Sequence, residues 1–81
     1  MQDLDRITEI VSRVGGIPPV PPDENIYRAG FASLRALELL VELEAEYGVT
    51  IDDERFMKSQ SPRDLARMIE SLCGSPRGAA A

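Results

Sequence analysis

Leu4, Ile7, Val11 and Val14 fall three or four residues apart at the start of the chain, with Ile10 widening the stripe, and this spacing predicts one buried helix face. Asp3 and Asp5 suit the positive end of that helix, and Gly15-Gly16 stops it. The next sixteen residues, "GGIPPVPPDENIYRAG", hold four prolines and cannot sustain a helix. A loop of that length in a small domain needs anchors, and Ile17, Val20, Ile26 and Tyr27 are expected to pin it across the core. A second helix is predicted from Ser33 to Tyr47, roughly 22 Å long, with Gly48 as its left-handed terminator. Leu34, Leu37, Leu39, Leu40, Val41 and Leu43 cover most of its circumference, which predicts a central helix packed on several sides. Glu38, Glu42 and Glu46, each four apart, form the strip left over.

"VTI" at 49–51 alternates but is too short for a strand, and Asp52 or Asp53 is expected to start one or two helical turns through Phe56 and Met57. "SPRD" gives a sharper start signal, with Ser61 as N-cap, Pro62 at the first helical position and Asp64 in the first turn. Leu65, Met68, Ile69 and Leu72 form that helix's buried face, and Gly74 is expected to end it. The pattern therefore predicts an all-α bundle of three main helices and one short one over residues 1–74. Residues 75–81, "SPRGAAA", are expected to form a disordered tail with nothing to pack.

Composition narrows what such a bundle can do. Fourteen acids against nine bases give a net charge of −5, which argues against a nucleic-acid partner. Residues 23–54 hold nine of the acids and only Arg28 and Arg35 as bases, so the acidity gathers around the second helix. No histidine is present, which removes the commonest general base and the usual activator of a serine nucleophile, so self-contained catalysis is not expected. Cys73 stands alone and cannot form an internal disulfide; a small apolar role near the end of the last helix is expected. No long apolar run or signal segment is visible, so the expectation is a cytoplasmic monomer away from membranes.

Ser33 stands at the mouth of the second helix, three residues after Gly30. Serine is among the best N-caps, so plain capping is one reading of it, a contribution of about 1 kcal/mol. The other is a chemical handle: an anionic ester on this hydroxyl would meet unpaired amides and the positive end of the helix dipole, worth about 0.3–1 kcal/mol.

The stretch "GFASLRALEL" decides between these readings by resemblance. It is similar to the attachment motif of the acyl carrier protein family, Gly-x-Asp-Ser-Leu followed by an apolar residue, Glu and Leu, matched in register at Gly30, Ser33, Leu34, Leu37, Glu38 and Leu39. "VELEAEYGVTIDDE" continues the match without a gap. The resemblance implies a 4'-phosphopantetheine arm, taken from coenzyme A by a phosphopantetheinyl transferase, on Ser33, and acyl cargo held as a thioester. It implies partner recognition by Leu34 and by the acids Glu38, Glu44, Asp53 and Glu54, facing basic patches on loading ligases, transferases and synthases. Ala32 departs from the pattern, standing where most of the family has aspartate, and so does Arg35, at a position acidic or polar in many relatives. Both departures point to a specialised, polyketide-type or secondary metabolic pathway in place of common fatty acid synthesis. Two alternatives stay open: an aminoacyl or peptidyl carrier, and an acidic helical interaction domain that never bears an arm.

Overall fold

A computed structural model describes the backbone of residues 2–80 and the side chains of residues 3–73. The first helix, α1, spans Gln2–Gly15. A 3-10 turn over Ser33–Arg35 leads into α2, Ala36–Tyr47. A short α3, Asp53–Lys58, precedes α4, Pro62–Ala80. No strand occurs among the described residues, and "VTI" is an extended connection.

The local signals act as their chemistry requires. Gly16 takes a φ of 63°, and the Ile17 amide turns back to the Ser12 carbonyl at 3.2 Å, closing α1. Gly48, also at φ 63°, donates to the Glu44 carbonyl at 2.8 Å and ends α2. The Ser61 hydroxyl accepts the Asp64 amide at 3.1 Å, so "SPRD" opens α4 as the sequence predicts. The far end of α4 differs from the expectation: the helical backbone continues through Gly74 to Ala80. Gly74 and Gly78 cost about 1 kcal/mol each in a helix interior and Pro76 about 3, so no local signal explains this extension. The expected absence of packing around 75–81 lies outside the described side chains.

The core draws on every segment. Ile7, Ile10 and Val11 of α1 meet Leu39 and Leu43 of α2, Phe56 of α3 and Leu65 and Ile69 of α4, all buried. Each such side chain contributes about 1.5–3 kcal/mol on leaving water. The proline-rich loop is pinned as expected: Val20 and Ile26 are buried, and Ile17 and Tyr27 pack against the core. Backbone bonds from Ile26 to the Gln60 carbonyl (2.8 Å) and from Arg63 to the Pro22 carbonyl (2.9 Å) clamp it to the α3–α4 junction. An Arg63–Asp23 ion pair at 2.6 Å reinforces the clamp. Phe31, a core residue the apolar spacing does not reveal, seats its ring against Gly15; a Cβ there would lie 2.6 Å from the ring. Gly15 is thus a contact residue as well as part of a helix stop.

The expectation of a central second helix is overturned. α1 is the helix that packs against both α2 and α4. On α2 only Leu39, Leu40 and Leu43 are buried, while Leu34, Leu37 and Val41 are 94%, 69% and 54% exposed. The wide apolar circumference of α2 comprises two faces, one covered by the bundle and one turned to solvent.

Candidate functional site

Ser33 is exposed, and its hydroxyl makes no hydrogen bond among the described residues. The capping reading fails on geometry. The N-cap position is Ala32, at φ −71° and ψ 129°, and no side chain caps the turn. Ser33 lies one residue inside, where its backbone carbonyl accepts the Ala36 amide and its side chain is free. The first amide of the turn to find a backbone acceptor is that of Arg35, which reaches the Ala32 carbonyl at 2.9 Å. The amides of Ser33 and Leu34 come before it, as the opening amides of any helix do.

The chain enters this turn through a fixed corner. Asn25 Oδ1 accepts the amides of Tyr27 (2.8 Å) and Arg28 (3.2 Å), and the Phe31 amide reaches back to the Ile26 carbonyl at 2.9 Å. Gly30 closes the corner at φ 115°, a conformation that other residues rarely adopt. Tyr27 and Phe31 meet edge to face at 5.9 Å, which anchors the corner to the core. A rigid support thus presents a freely accessible hydroxyl.

Beside Ser33 lies a groove of about 400 Å³. Tyr27 from the loop, Leu37 and Leu40 from α2, and Phe56 and Met57 from α3 form its apolar walls. That volume falls in the range of small-molecule sites. Burial raises the pKa of the Tyr27 phenol, which stays neutral at physiological pH.

The other residues singled out by the sequence divide into two groups. Leu34 is exposed next to Ser33, and Asp53 lines the same groove, so Ser33, Leu37 and Asp53 come together. Glu38 is exposed but paired with Arg35 at 3.2 Å, and Glu54 sits 3.8 Å from Lys58. Glu44 is elsewhere, about 16 Å along the helix from Ser33. Its Oε2 accepts the Ile51 amide at 2.8 Å, so this carboxylate organises the turn between α2 and α3. The remaining acids of α2 are held by α1: Glu42 by Arg13 at 3.0 Å and Glu46 by Arg6 at 2.9 Å. The Arg6 guanidinium draws the Glu46 carboxyl below its ordinary range through direct hydrogen bonds. Tyr27, Met57 and Gln60 line the groove although no periodicity marks them, because they come from a loop, a two-turn helix and a junction.

Comparison with known proteins agrees with this geometry. The family defined by the phosphopantetheine attachment site matches residues 5–69, and the chain belongs to that family. Acyl carrier protein 1 of Spinacia oleracea chloroplasts is 27% identical over 74 residues, covering 88% of this chain and 54% of that protein. Chloroplastic acyl carrier protein 3 of Cuphea lanceolata is 27% identical over 79 residues, covering 94% of this chain and 55% of that protein. The chain thus spans about half the length of these relatives. The hexanoyl acyl carrier protein of the actinorhodin polyketide synthase of Streptomyces coelicolor superposes with a TM-score of 0.70 at 27% identity, over 91% of this chain and 90% of that one. A carrier segment of the Pax nonribosomal peptide synthetase, solved with its docking domains, shares the fold at a TM-score of 0.78 and 17% identity, over 95% of this chain and 80% of that one. The chain is thus a carrier domain of this family, whose prosthetic group is 4'-phosphopantetheine. Among the described residues no helix is long and apolar enough to cross a membrane.

Proposed function

We propose that Ser33 is the attachment residue and that the chain carries acyl intermediates between enzymes of a polyketide-type pathway. The observation that carries this reading is a serine hydroxyl without a hydrogen-bond partner among the described residues, held on a rigid turn beside an apolar groove. When bound, the arm supplies a terminal thiol on which cargo rides as a thioester. The chain's own residues do the rest. Ser33 Oγ anchors the phosphodiester, and the opening amides of Ser33 and Leu34, with the positive end of the helix, face its negative charge. Leu37, Leu40, Phe56 and Met57 offer an apolar shelter to an acyl chain, which favours acyl over aminoacyl cargo. The match to the actinorhodin carrier over nearly its whole length, together with Ala32 and Arg35, supports the specialised pathway.

The test is an intact-mass measurement after incubation with coenzyme A, magnesium and a broad-specificity phosphopantetheinyl transferase. Wild type is expected to gain one phosphopantetheine, and Ser33→Ala none. A gain that survives Ser33→Ala moves the attachment elsewhere. No gain with any transferase leaves the acidic interaction domain as the better reading.

A further inference from the structure

We propose that a basic hollow between α3 and α4, on the side of α3 turned away from Ser33, takes an acidic segment of a partner protein. The hollow measures about 360 Å³. Buried Ser59 and Met68 form its floor, and exposed Arg55, Lys58, Asp64 and Arg67 form its rim. Asp53, Phe56 and Met57 line the Ser33 groove, whereas Arg55 and Lys58 project about half a turn further round the same helix. The two depressions share no residue.

The charges on this rim are the exception in the molecule. The chain has fourteen acids for nine bases, so an arginine readily finds a carboxylate, and the charges left over should be acids. Arg6, Arg13, Arg35 and Arg63 each end on a carboxylate, at 2.9, 3.0, 3.2 and 2.6 Å. Among the described residues Arg28, Arg55 and Arg67 form no such pair, and the last two border the same hollow. Arg55 donates to the Ser71 hydroxyl at 3.2 Å, which steadies its guanidinium across the α3–α4 gap without neutralising it. Lys58 has Glu54 at 3.8 Å, an exposed pair that contributes little and yields easily to a better acceptor.

Charge complementarity selects the occupant. Each guanidinium can hold a carboxylate through parallel N–H bonds, and the Lys58 ammonium adds a third positive point. Asp64 stands on the rim beside these cations and repels a bare polyanion such as free phosphate or a nucleic-acid backbone. A peptide segment meets both demands, with carboxylates on the arginines and a backbone amide donating to Asp64. Such contacts speed encounter and weaken as salt rises. Nothing in this site requires an arm on Ser33, and its occupant leaves that hydroxyl uncovered.

The experiment titrates the unmodified full chain by NMR with three probes: an acetylated, amidated tetraglutamate peptide, its tetraglutamine counterpart, and inorganic phosphate. Tetraglutamate is expected to shift the amides of residues 55–59 and 64–71 saturably and to leave residues 33–41 unmoved. Arg55→Gln and Arg67→Gln should each weaken binding about three- to tenfold. Arg28→Gln removes the same charge from the loop and should weaken it less than about 1.5-fold. Raising NaCl from about 50 to 500 mM should weaken it more than about tenfold. An equal loss in Arg28→Gln would reduce the effect to net charge and overturn the proposal. Phosphate or tetraglutamine binding as tightly as tetraglutamate would overturn it too, as would shifts that stay linear to about 10 mM peptide. Amides of residues 55–71 that move when the protein alone is diluted would assign the hollow to a second copy of this chain instead.

Discussion

The two faces of α2 carry the same residue type to opposite ends. Leu39 and Leu43 are fully buried in the core, and the neighbouring acids are locked to α1 by Arg6 and Arg13. Leu37 and Val41, about half a turn away, and Leu34 in the turn just ahead of α2 stand in solvent on the side of the Ser33 hydroxyl. The inner face stabilises the bundle. The outer face leaves apolar area in water, a cost the fold does not require and a partner or a cargo chain can relieve.

Paired substitutions break this comparison most directly. Leu39→Ala is expected to destabilise the protein by about 2–5 kcal/mol, because it opens a cavity in a covered site. Leu37→Ala, on the outer face, should change stability by no more than about 0.5 kcal/mol. Chemical denaturation of both variants measures the contrast, and equal losses would show that the outer face is structural after all.

A smaller effect is expected where the outer face begins. Ala32 occupies the N-cap position in an extended conformation and offers no acceptor. Ala32→Asp supplies one and should raise stability by about 1 kcal/mol, read as a higher denaturation midpoint. Loading kinetics of the same variant separate the cap from recognition. A faster transferase reaction shows that the missing acid also matters to the enzyme, and an unchanged rate restricts the role of position 32 to the helix.

Tyr47 sharpens the inner side. Its phenol oxygen is buried without a hydrogen-bond partner among the described residues, and burial pushes its pKa up to about 12. A raised folded value means that the neutral phenol is favoured in the folded state. That contribution is complete below the ordinary value of 10 and is lost as pH rises from there through about 12. Tyr47→Phe removes an unsatisfied group, so it should leave stability at neutral pH unchanged or raise it by up to about 1 kcal/mol. It should also flatten the alkaline loss of melting temperature.

The smallest effect belongs to the exposed pairs. Glu46 beside Arg6, and Asp23 beside Arg63, both titrate below their ordinary values of 4.5 and 3.8. Depressed folded values contribute stability above those figures, and it is lost as pH falls through the folded ones. Melting curves from about pH 6 to pH 3 should therefore fall less steeply in Glu46→Gln than in wild type, and solvent screening keeps the difference modest.

Much of the site was legible in the residues. Ser33 within "GFASLRALEL" stands out by resemblance as the residue proposed for attachment, and Gly30 announces the corner that presents it. Asp53 and Leu34 also emerge as surface residues near it. The bond from the Ile51 amide to Glu44 was not legible, since a carboxylate seven residues before Ile51 can fold back onto its amide only once Gly48 reverses the chain. Tyr27 and Met57 were visible as apolar residues, but nothing in their spacing placed them on one groove.

The sequence by itself determined the helix count, the starts and stops set by Gly16, Gly48 and "SPRD", and the apolar residues of α1 and α4. Capping, turn chemistry and helical periodicity act over a few residues, so their outcome can be read locally. Only the tertiary structure decided which leucines of α2 are covered and which acids are neutralised. Those outcomes depend on where α1 lies, and Arg13 and Arg6 reach Glu42 and Glu46 across 29 and 40 residues of chain. A pattern of spacing holds the choice of faces open until another helix arrives to close one of them.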